Sequence, residues 1–496
     1  MNIKSSVERF DVQAVNRDGS QKLFQPPKKI YPKRVEGPFR QLKWLIMTVT
    51  LAVYYITPWL RWDRGEFAPD QAVLVDLANR RFYFFFIEIW PQEFFFVAGL
   101  LIMAGIGLFL LTSVWGRVWC GYACPQTVWV DLFLVVERFF EGDRNQRMKL
   151  DTAPWSFDKF RKKFFKHFVW LLIALATGGA WIFYFSDAPT LAHDFLSFQA
   201  PWVAYSTVLI LASITYVLGG FMREQVCTYM CPWPRIQAAM LDEKSLVVTY
   251  NDFRGEPRTA HRKQALKDGQ PIGDCIDCNK CVAVCPMGID IRDGQQMECI
   301  TCALCIDACD GVMEKIGKPR GLVSYATLEE YDKAKAGTPV ENHVPILFRP
   351  RTLLYSAIWC LIGLSMLLVL LTRSRLDVNI LHDRNPLAVQ LKDGSVRNGY
   401  TVKILNMEPK PHKALFKMEG FANAKMRIEN FGSQTFTSGQ EIELELAPDQ
   451  LRVLKIYVTV PAKLLPSSDH DFQFEAKIPQ TNDSHVTDTR FHLKKR

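Results

Sequence analysis

The chain has 496 residues, 49% hydrophobic and 22% charged, with 60 Lys+Arg against 51 Asp+Glu for a net charge of +9. The length implies several domains, and the even spread of Gly 28 and Pro 27 excludes collagen-like, disordered and small disulfide-scaffold classes. Phe 34, Trp 13 and Tyr 15 are many for a soluble chain, which points to a hybrid of very apolar and very polar parts.

Residues 1–43 are polar and basic without an apolar h-region, so they read as a cytoplasmic N-terminal segment rather than a cleaved signal peptide. Five uncharged apolar runs follow: Trp44–Leu60, Phe94–Trp115, Phe168–Phe185, Trp202–Met222 and Leu353–Thr372. Each is near the ~20 residues that cross a bilayer core. Trp, Tyr, Lys and Arg at their ends favour spans over buried helices of a soluble core. Residues 44–222 thus hold four transmembrane helices and a basic loop (116–167), and 352–372 the fifth. The loop carries Arg117, Arg138, Arg144, Arg147, Lys149, Lys159, Arg161, Lys162, Lys163 and Lys166, whereas 186–201 has no Lys or Arg. The positive-inside rule then puts the N-terminus, the loop and 223–351 in the cytoplasm and the tail outside a bacterial inner membrane. Topology accounts for the surplus charge, and nucleic acid is not an expected partner. Thr127–Phe140 has the pattern of an amphipathic surface helix with Asp131, Glu137 and Arg138 on a solvated face. Glu88 and Glu93 read as interfacial, and His167 and His193 as ordinary residues near membrane ends.

None of the 13 cysteines falls outside on this topology, so disulfides are not expected. Cys120-Gly-Tyr-Ala-Cys124-Pro125 and Cys227-Thr-Tyr-Met-Cys231-Pro232 sit just past the cytoplasmic ends of the second and fourth runs. Packing of those helices would gather four thiols into a candidate catalytic copper site, since thiolates select Cu(I) and Met222 or Met230 adds a thioether. Arg117, Arg223 and Arg235 would favour thiolates. The plainer reading is four membrane-end cysteines, each pair followed by a helix-starting Pro.

Two longer runs repeat one pattern, Cys275-x2-Cys278-x2-Cys281-x3-Cys285-Pro286 and Cys299-x2-Cys302-x2-Cys305-x3-Cys309-Asp310, the spacing of bacterial two-cluster ferredoxins. The fourth cysteine of each run then serves the other cluster. One [4Fe–4S] cluster takes Cys275, Cys278, Cys281 and Cys309, and the second takes Cys299, Cys302, Cys305 and Cys285. Zinc, the alternative for Cys-x2-Cys pairs, has no use for this tandem arrangement. Gly288 and Gly311 read as turn residues after the runs, and Cys360, alone in the fifth span, as packing.

The tail, 377–496, changes character. Tyr400–Leu405, Lys425–Glu429, Glu441–Leu446, Leu451–Val460 and Asp471–Ile478 alternate between turn-forming clusters. About seven such strands suit an all-β immunoglobulin-like sandwich. It has no cysteine and no catalytic constellation, and it reads as a docking module or a passive cap.

Gly-Arg-Val-Trp-Cys-Gly-Tyr-Ala-Cys-Pro-Gln-Thr (116–127), Arg-Glu-Gln-Val-Cys-Thr-Tyr-Met-Cys-Pro-Trp-Pro-Arg (223–235), Arg-Gly-Glu-Pro-Arg (254–258), the tandem runs and Lys-Pro-Arg-Gly-Leu (318–322) together resemble the CcoG family, also called FixG or RdxA. These membrane polyferredoxins are accessory proteins of cbb3-type cytochrome c oxidase assembly. The short motifs are shared with wider membrane ferredoxins of the NapH and NosR type, and Ile236 stands where the family leads one to expect an aromatic residue. The resemblance implies a cupric reductase that supplies Cu(I) for the oxidase. Its expected partners are copper transporters or chaperones, oxidase assembly factors, an unidentified cytoplasmic electron donor and a second copy in a homodimer. A membrane ferredoxin serving a quinone or oxyanion reductase, and a non-redox copper scaffold, remain as other readings.

Overall fold

Among the described residues four helices are long and apolar enough to cross a membrane: Pro91–Trp115, Phe157–Ile182, Trp202–Met222 and Pro350–Thr372. They mark the chain as membrane-associated. The computed structural model describes residues 7–15, 29–66, 68–338, 348–408, 410–422, 424–429, 434–448, 450–481 and 483–493. The first run differs from expectation. It falls in helix α1, Pro38–Ile56, which opens at Pro38, takes in Arg40 and Lys43, and gives way to a 3-10 turn at Thr57–Trp59 around Pro58. The third run is extended backwards by a polar stretch from Phe157, capped where the Ser156 hydroxyl accepts from the Lys159 amide. That helix meets Trp202–Tyr216 closely because Gly178 has no Cβ, which would lie 2.7 Å from the Val208 carbonyl. Cys360 is exposed on the Pro350–Thr372 helix rather than packed.

Helix α2 runs Phe95–Trp115 and α3 runs Pro125–Glu141, with Pro125 at its first position. The amphipathic reading of α3 holds for the period but not for the solvent. Asp131 is 4% and Glu137 0% exposed, because the polar stripe faces other charges instead of water. Asp131 accepts two bonds from Arg40 at 2.8 and 2.9 Å, with Lys43 3.9 Å away. Although burial opposes ionisation, Lys43 and Arg40 hold the Asp131 carboxyl below the usual range. Glu137 pairs with Arg147 at 2.9 Å and with Arg223 at 3.0 Å, and Lys166 reaches Glu141 at 2.8 Å. Arg138 is mostly buried and its side chain donates to the Pro32 carbonyl.

The N-terminal segment before α1 lies along the first cysteine run. The amides of Phe10, Val15 and Lys33 donate to the carbonyls of Cys278, Gly288 and Ala283 at 3.1, 2.8 and 2.8 Å. Around the cysteine runs, strands Val247–Tyr250 and Val323–Ala326 pair antiparallel with Val248 opposite Tyr325, and helices Lys280–Val284 and Leu304–Lys315 each start within a run. Gly288 makes a turn at φ +66°, as expected. Gly311 does not; it lies inside the Leu304–Lys315 helix.

The chain divides into two compact units, Met1–Leu60, Val73–Arg80 and Glu93–Leu364 in one, and Arg61–Ala72, Arg81–Gln92 and Ser365–Arg496 in the other. The second is a two-sheet sandwich. One sheet is ordered Thr435–Thr437, Lys425–Ile428, Leu451–Val460, Val396–Asn406, Leu376–His382, with Val389–Gln390 also on Val396–Asn406; the other is ordered Ile442–Leu446, His412–Glu419, His470–Ile478, Asp483–Phe491. The five segments read from alternation are all strands, and Leu376–His382, His412–Glu419 and Asp483–Phe491 join them. Tyr400, Phe416, Phe474 and Ile456 are fully buried between the sheets, Phe416 stacking on Phe474 at 5.4 Å. Segments 61–72 and 81–92 also belong to this unit. In them the Arg64 guanidinium donates to the carbonyls of Pro69, Gln71, Ala72 and Phe85.

Glu137→Ala leaves Arg147 and Arg223 buried without a counter-ion, and loss of one partner of a buried pair costs about 3–5 kcal/mol. The expected outcome is a clearly lowered unfolding midpoint of the purified protein in detergent, read by thermal scanning, with a much smaller shift for Asp158→Ala on the exposed start of the Phe157–Ile182 helix.

Candidate metal centre

Each ferredoxin run bends around its second cysteine in the same way. Asp277 and Asn279 flank Cys278 at φ +50° and +55°, and Thr301 and Ala303 flank Cys302 at +50° and +60°. Left-handed backbone at four non-glycine residues is strain retained at a binding loop. Peptide N–H groups meet the sulfurs nearby: Lys280 at Cys278, Thr301 at Cys299, and Met287 and Ile289 at Cys285.

The fourth cysteines lie by the opposite runs. The Cys309 thiol is pushed up by burial and then by Cys281, Cys275 and Cys278. Cys285 is pushed up to about 12 by burial and then by Cys302 and Cys299. Cys281, Cys285, Cys299, Cys302 and Cys305 line one apolar cavity with Val248, Ile291 and Leu304. Buried thiols that each raise the others ionise only when a metal supplies the charge, so the donor set fits iron–sulfur clusters. Among the described residues no three His, Cys, Asp or Glu side chains converge tightly enough for one metal ion. This spacing suits thiolates spread round the corners of a cubane better than a tetrahedral zinc site.

The two short motifs also meet. Each is a single π turn, Trp119–Ala123 and Val226–Met230, ending at an extended Cys124 or Cys231 before its Pro. Cys120 and Cys227 share one buried cluster with Cys285, Cys299 and Cys302. The Cys120 thiol donates to Gln237 Oε1 at 3.0 Å, and Gln237 is fixed in turn by a 3.1 Å bond from its Nε2 to Thr112 Oγ1. Gln126 Nε2 donates to the carbonyls of Leu218 and Arg223, tying the start of α3 to the segment before the second motif. Burial pushes Cys120 up to about 11 against the opposing pull of Arg117. It pushes Cys227 up to about 12, with Cys124, Cys120 and Cys231 adding to it. The expected thiolate-favouring arginines thus do not prevail: Arg223 is taken by Glu137 and Arg235 is exposed. Met230 is 55% exposed, and Ile236 is exposed.

The first short motif touches the second ferredoxin run. A Cβ on Gly121 would lie 2.6 Å from the Ile300 carbonyl and 3.0 Å from Cys302 Cα, and Tyr122 Oη donates to the Cys302 carbonyl at 3.2 Å. Only glycine permits this approach.

Sequence reasoning passed over three positioning groups. Gln237 is one. Arg292, 6% exposed at its side chain, donates to Asp277 Oδ1 and Asn279 Oδ1 at 2.7 Å each and grips Asp290, beside Cys281 and Cys275. Arg254 donates to Asp274 at 2.8 Å and to the carbonyls of Pro319 and Arg320. That joins the 254–258 and 318–322 motifs, and Asp310, where the first run has Pro286, accepts from the Gly321 amide at 2.9 Å. His167 bonds Tyr216 Oη, and His193 is exposed.

A family model of a 4Fe–4S dicluster domain matches residues 222–328, a 4Fe–4S binding domain matches 95–141, and the Ig-like fold at the C-terminus of FixG matches 366–494. The chain is 57% identical to the nitrogen fixation protein FixG of Rhizobium meliloti, over 99% of this chain and 98% of that one. It belongs to the FixG family. Protein RdxB of Cereibacter sphaeroides is 56% identical over 84% of this chain and 87% of its own, and RdxA of the same organism 49% over 89% and 91%. Among solved structures, a FixG-related protein from Vibrio parahaemolyticus matches 25% of this chain and all of its own, with 16% identity and a TM-score of 0.21. The protein is accordingly a FixG-like iron–sulfur oxidoreductase.

Cluster potentials follow local charge and hydrogen bonding. Arg292→Gln removes a buried cation beside Cys281 and Cys275, and a redox titration followed by electron paramagnetic resonance is expected to show one cluster shifted to lower potential and the other unmoved.

Proposed function

We propose that this FixG-family protein reduces Cu(II) to Cu(I) at the four thiols Cys120, Cys124, Cys227 and Cys231, for assembly of a cbb3-type cytochrome c oxidase. The observation that carries the reading is the seating of the short motif on the second cysteine run, with the Gly121 backbone against Ile300 and Cys302 and the Tyr122 hydroxyl bonded to the Cys302 carbonyl. Cys275, Cys278, Cys281 and Cys309 would hold one [4Fe–4S] cluster and Cys299, Cys302, Cys305 and Cys285 the other. These clusters supply single electrons, the number a cupric ion takes up.

The chain's own residues do the rest. The thiols select the cuprous product over Cu(II) by their softness. Gln237 holds the Cys120 thiol in place as its hydrogen-bond acceptor, and the apolar lining from Val284, Met287, Ile300 and Leu304 keeps water from the path.

The same proposal includes five spans in a bacterial inner membrane, with the N-terminus, 116–167 and 223–351 in the cytoplasm and the sandwich outside. Copper transporters or chaperones would receive the Cu(I).

The test is anaerobic. The clusters are reduced with dithionite, Cu(II) is added, and their reoxidation is followed optically while a Cu(I)-specific chelator reports product. Stoichiometric Cu(I) is expected, with a rate at least tenfold lower when Cys120, Cys124, Cys227 and Cys231 are all Ser and cluster iron is unchanged. Equal rates in the two proteins would defeat the assignment.

A further inference from the structure

The two iron–sulfur centres differ in what lies beside them. Cys120 and Cys227 share a buried cluster with Cys285, Cys299 and Cys302, so the short motifs adjoin the centre held by Cys299, Cys302, Cys305 and Cys285. Cys275, Cys278, Cys281 and Cys309 belong instead to a cluster packed against Val7 and Phe39. An electron that leaves by way of Cys302 has this other centre as its entrance.

The entrance is ringed by lysines. Lys280 directly precedes Cys281, and its ammonium reaches across to the Leu304–Lys315 helix, 3.9 Å from where a Cβ on Gly311 would lie, two residues after Cys309. Lys315, on the last turn of that helix, is exposed. Lys33 lies with its ammonium 4.0 Å over the Phe10 ring, and the Phe10 amide donates to the Cys278 carbonyl. The charged groups that act on Lys280 are Lys315, Cys278, Lys33 and Glu8. Glu8 is the carboxylate in that set, and Lys33 already holds it at 2.5 Å. Glu314, next to Lys315, is taken by Arg320, and among the described residues no carboxylate pairs with Lys280. The face therefore keeps an excess of positive charge.

The opening beside Cys299 differs. Its cations are engaged: Arg117 is 3% exposed, and Arg349 and Arg351 both hold Asp242, while Glu243 is exposed on its wall. An acidic partner is drawn to the first centre and not to the second.

We infer that the face formed by Lys280, Lys315 and Lys33 docks an acidic one-electron carrier protein, and that electrons enter the chain there, at the centre held by Cys275, Cys278, Cys281 and Cys309. Lysine is a strongly hydrated point charge on a flexible stem, without the planar fork that fixes a phosphate in one geometry. Several such charges steer an oppositely charged protein into contact without holding it long. That suits a carrier that must leave after each electron, and redox encounters have small interfaces for the same reason. Each encounter takes one electron from the carrier and adds one to the centre; no bond is made or broken and no proton moves. The inference rests on the iron–sulfur reading of the chain and not on copper being the acceptor.

The experiment uses the full-length protein in nanodiscs of uncharged lipid, with an acidic plant-type [2Fe–2S] ferredoxin as probe. Binding to the as-isolated protein is read by anisotropy of the labelled probe, and cluster reduction by the pre-reduced probe is followed by stopped flow. Binding is expected at low salt, weakening steeply once the screening length falls to about 10 Å near 0.1 M. Lys280→Glu with Lys315→Glu is expected to lower affinity and reduction rate by about tenfold or more, with cluster iron and the dithionite-reduced paramagnetic resonance spectrum unchanged. Lys315→Glu alone, which leaves the cysteine loop intact, is expected to move both in the same direction, and Glu243→Lys to leave both as in the parent. Equal binding in the parent and the double variant, equal binding of basic cytochrome c, or binding of reduced ferredoxin without cluster reduction would each overturn the docking face. Reoxidation by Cu(II) is read in the same samples, so a failure of the copper reading is not mistaken for a failure of docking.

Discussion

The close approach of Gly121 to Ile300 and Cys302 is the contact on which the arrangement turns. A side chain there would hold the membrane-edge thiols and the ferredoxin loop apart by its own thickness, and electron exchange falls off steeply with separation. On one side the loop is held by π turns and by Gln237 and Thr127, both bonded to Cys120. On the other, the left-handed residues around Cys302 present its carbonyl to Tyr122. Several weak local preferences are thus overruled to bring two short peptide segments together. The strain is confined to the residues that border sulfur, as expected where packing over-determines the backbone.

Behind this contact stands an array of buried charge on α3. Asp131 binds Arg40 and Lys43 of α1, and Glu137 binds Arg147 of the loop and Arg223 at the foot of the fourth apolar helix. Each ion taken from water is costly, and good geometry with several partners offsets that cost. Such pairing fixes position more than it adds stability. Here it locks three chain segments at the level where the thiols sit, so the second short motif is held in register with the first by charges that touch neither.

Much of this was legible in the sequence, and the limits have physical causes. Cysteine spacing encodes cluster geometry directly, because a thiolate two residues from the next can reach only a neighbouring corner. Alternation in the tail likewise gave five of the sandwich strands, four of them to within one residue and Tyr400–Leu405 four residues short at its start, since one face of each must be apolar. The buried face of α3 was not legible. An amphipathic period separates polar from apolar residues but cannot say whether the polar side meets water or other charges. Gly311 failed for a related reason: a glycine after a cluster run suggests a turn, yet the Leu304–Lys315 helix continues through it. Segments 61–72 and 81–92 belong to the second unit and are tied to each other by Arg64, which donates to the carbonyls of Ala72 and Phe85, a contact that no local pattern announces. Gln237 and Arg254 act through partners distant in sequence, and Arg292 through a chain reversal that brings it back to Asp277 and Asn279, so only the fold could reveal them.

The N-terminal segment carries a consequence for membrane crossing. Its amides at Phe10, Val15 and Lys33 bond the carbonyls of the first cysteine run, and backbone hydrogen bonds cannot form through a bilayer. The two segments must share a side, so the chain between them has to traverse the lipid an even number of times. Three of the long apolar helices lie in that interval. On the five-span proposal, α1, despite its charged first turn, is the fourth crossing that makes the count even. Its Arg40 and Lys43 then sit at the entry with their counter-ion Asp131 already in place, and Leu45, Val49 and Val53, all exposed, face outward where lipid would cover them.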